Sequence, residues 1–415
     1  MISCKKEKQN DRLPLKTEEH VTAKDILGNP DYLAISYGGY RTKSRTDQPT
    51  IKQLKDDLKI LAAMGIKIIR TYNVQKPLPH AANILKAISQ LKTEDPEFEM
   101  YVMLGAWIDC LNAWTDKPVD HNIESPFNAS EIDRAVALAN QYPDIVKVLA
   151  VGNEAMIKWA TSYYVQPGVI LKWVTYLQDL KKKGKLNGEL WITSSDDFAS
   201  WGGGDKQYHV DDLNELIKAV DYISMHTYPY HNSHYNPEFW AVPDAHKNMP
   251  DSTKIEMAME RAIAFSQNQY DSVMRYMKNL GVNKPIHIGE AGWATVSNGH
   301  YGNNGSRATD EYKQGLYHKL MRRWTNRAGI SCFYFEAFNE QWKDSSNSKG
   351  SENHFGLFTI DGKAKFPIWD LVDKGIFEGL TRDGNPIKKT YNGDKDALLK
   401  DVLVPPSETE IMAIR

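Results

Sequence analysis

Cysteine is scarce. The 415 residues hold three, Cys4, Cys110 and Cys332, too few and too far apart for a disulfide framework or a zinc cluster. Net charge is also scarce. Lys and Arg number 51 against 53 Asp and Glu, a formal −2, which removes the bulk-charge argument for nucleic acid or an anionic membrane surface as a partner. No run approaches the roughly 18 apolar residues of a spanning helix. No glycine-rich phosphate fingerprint follows an apolar run, so a dinucleotide fold is not supported. Gly202-Gly203-Gly204 lacks a following Lys-Ser/Thr and reads as a turn. Neither a low-complexity linker nor an internal repeat divides residues 30–375.

What is present is a globular composition, 41% hydrophobic and 25% charged. The 11 tryptophans and 21 tyrosines outweigh the 12 phenylalanines. Rings with a polar edge suit wet, ring-stacking surfaces, although a large core would use the same residues.

Residues 1–20 are polar, charged and aperiodic, so a flexible leader is expected over 1–29. Cys4 followed by Lys5 and Lys6 resembles the start of a mature bacterial lipoprotein, a lipidated cysteine ahead of a polar tether. No basic and apolar segment precedes it. Either the export signal has been cut away from this numbering, or Cys4 is an ordinary thiol. On the first alternative the protein is exported, as an outer-membrane lipoprotein or a periplasmic protein of a Gram-negative bacterium, and meets membrane only through that anchor.

From about residue 30, short β-rich apolar runs alternate with longer segments of helical period. Strands are expected at 32–37, 67–72, 99–104, 146–151, 189–193, 222–226, 285–288 and 331–335. Helices are expected at 49–64, 76–92, 129–142, 166–183, 209–219, 253–279, 308–327 and 366–375. Eight such units fit an α/β fold of one kind, a single (β/α)8 barrel over 30–375. The loop-rich 376–415 extension is expected to pack on it.

In such a barrel, chemistry gathers at the C-terminal ends of the strands. Strand two ends in Arg70-Thr71-Tyr72-Asn73, strand three in Gly105-Ala106-Trp107, and strand four in Gly152-Asn153-Glu154. Strand five ends in Ser194-Ser195-Asp196-Asp197 and strand six in His226-Thr227-Tyr228. Strand seven ends in Gly289-Glu290-Ala291-Gly292-Trp293 and strand eight in Glu336-Ala337-Phe338-Asn339-Glu340. A carboxylate directly after an apolar strand is costly unless solvated, paired or used. One strand-end Glu is more often an ion-pair partner. Glu154 and Glu290 at strands four and seven, facing each other across a barrel mouth with aromatics beside both, reverse that preference. Two carboxyl groups about 5–5.5 Å apart suit retaining glycoside hydrolysis, one protonated for the leaving oxygen and one ionised for attack at the anomeric carbon.

These words resemble glycoside hydrolase family 17, the β-1,3-glucanases and related transglucosylases. The matching stretches are IRTYN (69–73), VGNEA (151–155), YPY (228–230), GEAGW (289–293), FEAFNEQWK (335–343) and HFGLF (354–358), in the family's order. The resemblance implies Glu154 as general acid/base and Glu290 as nucleophile. It implies Asn153 holding the sugar 2-hydroxyl, Arg70 orienting the nucleophile and Tyr228 standing near that carboxylate. Glu340 and Lys343 match the family's FDExxK word, and these two, with Tyr72 and Glu336 at neighbouring strand ends, are expected to bind substrate. Asn339 replaces the usual acid in that word, and Ala294-Thr295 replace Pro-Ser or Pro-Thr. The implied partner is a β-glucan, bound by a monomer without cofactor or metal.

Other signals are weighed against this. His226, His231 and His234 are spaced as metal ligands can be, but no acidic cluster accompanies them. A hydrogen-bonding or core role is expected, with His226 near the site. Trp107, Trp159, Trp201, Trp240, Trp293 and Trp342 follow strand ends; sugar contact is expected of Trp293 and Trp342. Asp196-Asp197 reads as a loop turn or cap, with calcium or a sugar hydroxyl contact as the lesser alternative, and Lys181-Lys182-Lys183 as a solvated helix end. Three functions remain open: hydrolysis of β-1,3-glucan, transglucosylation with the same two carboxylates, and non-catalytic glycan binding by a surface lipoprotein. The last predicts loss of a catalytic carboxylate, and both are present.

Overall fold

The computed structural model describes residues 21–414, so Cys4 lies outside the described part. Eight parallel strands close a barrel. They are β1 (Leu33–Ser36), β2 (Ile66–Arg70), β3 (Tyr101–Ala106) and β4 (Val146–Asn153), then β5 (Trp191–Asp197), β6 (Ile223–His226), β7 (Ile286–Gly292) and β8 (Cys332–Phe335). β1 closes the ring by pairing with both β2 and β8. All eight expected strands form, and the single (β/α)8 barrel is the fold.

The helices bury one apolar stripe each. In the helix Ile51–Ala63, Leu54, Leu58 and Leu61 recur at the helical period, and Thr50 caps it with a reciprocal Gln53 contact. The helix Glu311–Ala328 starts where the Asp310 carboxylate accepts from the Lys313 N–H. The expected eighth helix is shorter than 366–375: a 3₁₀ turn, Phe366–Ile368, leads into Trp369–Asp373. Gly375 (φ 71°) ends it.

Residues 21–29 are not a loose leader. A short helix, Ala23–Ile26, places Ala23, Ile26 and Leu27 against Ala34, Ile68, Met103 and Phe333 at the barrel floor. These apolar residues close the end remote from the mouth. The 376–415 extension reaches back through Arg382, which is fully buried. Its Nε donates to Asp57 Oδ1 at 3.0 Å, and Asp57 also accepts from Arg41 and Tyr37. Two inserts, unheralded by periodicity, matter for the site. They are a hairpin after β3 (Cys110–Leu111 with Asp120–Glu124) and a helix after β6 (Pro229–Tyr235). Among the described residues no helix is long and apolar enough to cross a membrane.

Candidate active site

The turn after β4 sets the position of Glu154. Gly152 has φ 80°, and a Cβ there would lie 2.8 Å from the Ala155 Cβ, so only glycine fits. Glu154 itself is held at φ 46°, an uncommon conformation for a residue with a side chain, and its N–H donates to Ser195 O at 2.9 Å. The Met156 N–H donates to Asp196 Oδ2 at 2.7 Å. The turn is therefore anchored to β5 on both sides of Glu154.

Glu290 lies within β7 rather than after it. Tyr228 Oη donates to its Oε2 at 2.6 Å, and the buried Arg70 guanidinium pairs with Oε1. Arg70 also donates to Gly289 O at 2.9 Å and to Asn153 Oδ1. One guanidinium thus fixes the nucleophile candidate and its amide neighbour together. One carboxylate oxygen of Glu154 and one of Glu290 lie within 4.8 Å of each other.

The two carboxyls differ electrostatically. Burial, reinforced by the Glu290 carboxylate, pushes Glu154 up to about 8, against the pull of Arg70. Burial works the same way on Glu290, yet its pKa falls below the ordinary range. His226, Arg70 and the Tyr228 hydrogen bond act in the lowering direction. Burial holds His226 itself down to about 4, so it is neutral near pH 7, and Arg70 with Tyr228 keeps Glu290 ionised. One protonated and one ionised carboxyl group follow.

Glu154, His226 and Glu290 are also the one group of metal-type ligands, among the described residues, close enough for a cation. Arg70 and Tyr228 already occupy both Glu290 oxygens, and a guanidinium beside the site opposes a second positive charge. His231 and His234 do not join His226. His231 meets Tyr301 Oη at 3.1 Å, and His234 stacks on His300.

A cleft of about 1510 Å³ opens over this pair. Tyr72, Asn153, Tyr228, Glu340, Trp342 and Lys343 line it. Glu340 accepts from Trp342 Nε1 at 2.9 Å and lies 3.5 Å from Lys343 Nζ. Glu336 is instead buried beneath the cleft, its Oε2 paired with Lys343 and its pKa pushed up to about 8 by burial. It supports Lys343 rather than meeting a sugar. Arg70 likewise lies below the surface and acts through Glu290 and Asn153.

Trp293 corrects the sequence expectation. It is 0% exposed, packs on Tyr230, Trp240 and Tyr317, and donates its indole N–H to Ala308 O at 2.8 Å. Trp201 and Trp240 are buried too. The indoles that reach the cleft are Trp107, Trp114, Trp159 and Trp342. Trp114, on the inserted hairpin, stacks on Tyr163 with ring centroids 4.9 Å apart. Asp196 and Asp197 are not a loop turn but the end of β5. Asp196 is fully buried, and Asp197 lines the cleft with its pKa pushed to about 7 by burial. Sequence reasoning missed Trp114 and gave Ser195 no role, and it set a sugar contact by Asp197 behind a turn or cap; the run of polar residues in the buried strand ITSSDD was the signal for the last two. The two departures from the family words converge. Thr295 Oγ1 and Asn339 Oδ1 both accept from the buried Lys365 Nζ, at 2.9 Å each.

Comparison with known proteins agrees with this geometry. A profile of the BtgE/BtgC glycoside hydrolase domain matches residues 34–356. The solved structure of an endo-laminarinase from Formosa Hel1_33_131 is 66% identical, with TM-score 0.92, covering 94% of this chain and 98% of that one. A glycoside hydrolase family 17 β-1,3-glucanosyltransferase from Rhizomucor miehei is 19% identical with TM-score 0.55, covering 81% and 96%, a likeness of fold alone. A glucan 1,3-β-glucosidase of Arthroderma benhamiae is 24% identical over 284 residues, 66% of this chain and 73% of its own length. The chain spans only 34% to 45% of the length of the glucan endo-1,3-β-glucosidase relatives from Aspergillus.

Proposed function

We infer function from the premise that the profile match supplies: the chain belongs to the BtgE/BtgC glycoside hydrolase domain family. The reading is a retaining glycosidase that cleaves internal β-1,3-glucosidic bonds of laminarin-type β-glucan. One observation carries the chemistry: an ionised and a protonated carboxyl group with oxygens within 4.8 Å. Nearest oxygens this close fit the retaining separation of about 5–5.5 Å between carboxyl groups better than the about 6.5–9.5 Å that leaves room for the water of an inverting mechanism. The substrate follows from the 66% identical endo-laminarinase.

Glu290 attacks the anomeric carbon and forms a glycosyl ester while Glu154 gives its proton to the departing sugar oxygen. Glu154, now ionised, takes a proton from water, which attacks the same carbon; the ester breaks and Glu290 is regenerated. Asn153 holds the 2-hydroxyl, and Arg70 and Tyr228 orient Glu290. Tyr72, Trp342, Glu340 and Lys343 contact sugar, and the enzyme works as a monomer without cofactor. Placement in glycoside hydrolase family 17, supported by the ordered words, belongs to this reading. So does export with Cys4 lipidated, which the Cys-Lys-Lys start supports; an unmodified Cys4 in mass spectra of native protein would end that part.

The test is Glu154→Gln and Glu290→Gln on laminarin, followed by time-resolved chromatography. Both variants lose turnover, and the wild-type enzyme releases oligosaccharides of mixed length. Wild-type-like turnover by either variant overturns the assignment. Products longer than the starting oligosaccharide would assign transglucosylation to the same pair.

A further inference from the structure

Behind Glu154 lies a buried chain of side chains that the mechanism above does not use. His226, with no exposed surface, sits with Nδ1 3.1 Å from Glu154 Oε1 and 3.8 Å from Glu290 Oε2. Its Nε2 is 2.8 Å from Ser195 Oγ, and Ser195 Oγ is 2.9 Å from Ser224 Oγ. Both serines are fully buried. They stand on adjacent strands, β5 and β6, in direct register. The β7 strand leaves room for them at Gly289, where a Cβ would fall 2.3 Å from Ser224 Oγ and 2.4 Å from Ser195 Oγ. Two buried serines in register, facing a glycine that leaves room for their hydroxyls, are a built arrangement.

The chemistry of this chain is specific. A neutral imidazole has one donor and one acceptor nitrogen, and which is which depends on its partners. A serine hydroxyl can rotate to donate or to accept. With Ser195 donating to Nε2, Nδ1–H is the donor, and it serves Glu154 Oε1 equally as the carbonyl oxygen of an acid protonated on Oε2 and as a carboxylate oxygen. The catalytic cycle needs Glu154 in both states.

We propose that His226, held in one tautomer by the Ser195–Ser224 hydroxyl pair, is the positioning residue of the acid/base. It keeps one hydrogen bond to Glu154 Oε1 in either protonation state and leaves the second oxygen for the leaving group and then for water. This rests on the assignment of Glu154 above and extends it. The charged and titratable groups around His226 are Glu154, Glu290, Arg70, Asp196 and Asp197. They are present in both states of Glu154, and the Ser195 hydroxyl sets the tautomer.

The test compares two substrates. One is a laminari-oligosaccharide, whose sugar leaving group requires a proton. The other is a 2,4-dinitrophenyl β-laminaribioside, whose leaving group departs as a stable anion. Glu154→Gln is the reference: it loses far more activity on the first than on the second during glycosylation. His226→Leu is expected to follow it, with kcat/KM on the oligosaccharide falling about 10- to 100-fold and burst-phase glycosylation by the dinitrophenyl substrate falling less than about threefold. His226→Asn, whose amide sits near the Nδ1 position, recovers most of the loss. Ser195→Ala shows the same split at smaller size, and serves if His226→Leu fails to fold. Equal losses on both substrates in His226→Leu and Ser195→Ala, or no loss in either, overturn the proposal. If Glu154→Gln itself fails to split the substrates, the acid/base assignment has failed instead.

Discussion

Replacing Arg70 by Met tests how the barrel keeps Glu290 ionised. The guanidinium is buried and paired with a buried carboxylate, so the charge pair is poorly screened. At about 4 Å between charge centres and an effective dielectric of about 20, the attraction is about 4 kcal/mol, or about three pKa units. Tyr228 still donates to Oε2 at 2.6 Å in the variant, and water entering the space left by Arg70 recovers part of the loss. A rise of about one to two units in the Glu290 pKa is therefore expected. The sign is fixed by chemistry. Glu290 attacks only when ionised, so raising its pKa moves the acidic limb of the kcat/KM profile to higher pH. The deficit is greatest in acid and shrinks toward neutrality. A residual loss of about 100-fold remains at the optimum, because Asn153 and Gly289 also lose their donor and the nucleophile is no longer aimed. The assay is a pH–rate profile on a soluble aryl laminaribioside from pH 3 to 9, with circular dichroism to establish folding. Arg70→Lys lies between, since an ammonium cannot serve Glu290 and Asn153 as a fork does. A folded Arg70→Met enzyme with an unmoved acidic limb would refute the reasoning.

Glu154 holds a proton up to about pH 8 in the folded protein, while in the unfolded chain it ionises near pH 4.3. Between those values the folded state binds the extra proton, so this group's contribution to stability falls as pH rises. Glu154→Gln should melt above wild type at pH 8 and level with it near pH 4; an equal gap at both would contradict the burial argument. The basic limb of wild-type kcat/KM on glucan should fall near pH 8. Trp293→Ala should cost about 3–5 kcal/mol in urea unfolding, whereas Trp159→Ala, whose parent ring is 62% exposed, should raise KM and leave the melting temperature in place. Arg382→Met removes one partner of the buried Asp57 and should cost about 3–5 kcal/mol of stability with kcat/KM per folded molecule unchanged, as unfolding curves and active-site titration would establish.

Much of this was legible in the sequence because barrel strands are buried on both faces and read as continuous apolar runs. A Glu that follows such a run announces itself by its cost, and Glu154 and Glu290 did so. The tryptophans were less legible. Trp293 and Trp342 both follow strand ends, but only the packing of Tyr230, Trp240 and Tyr317 around the first decides that it faces inward. Sequence spacing cannot report that direction. The hairpin carrying Trp114 has strands of two and five residues, too short for periodicity to emerge. Ala23–Ile26 was lost for the same reason: four residues have no period, and their burial comes from the barrel floor they close. His226 was visible as a residue, but its partner Ser195 is 31 positions away and meets it only through strand register.

The most direct measurement is to trap the covalent intermediate. A 2-deoxy-2-fluoro-β-laminaribioside with a dinitrophenolate leaving group forms the glycosyl ester quickly and releases it slowly. Mass spectrometry of the digested protein should find the added sugar on the peptide containing Glu290, and proton NMR of wild-type products should find the β-anomer first. A label on any other residue, or the α-anomer first, would contradict the account.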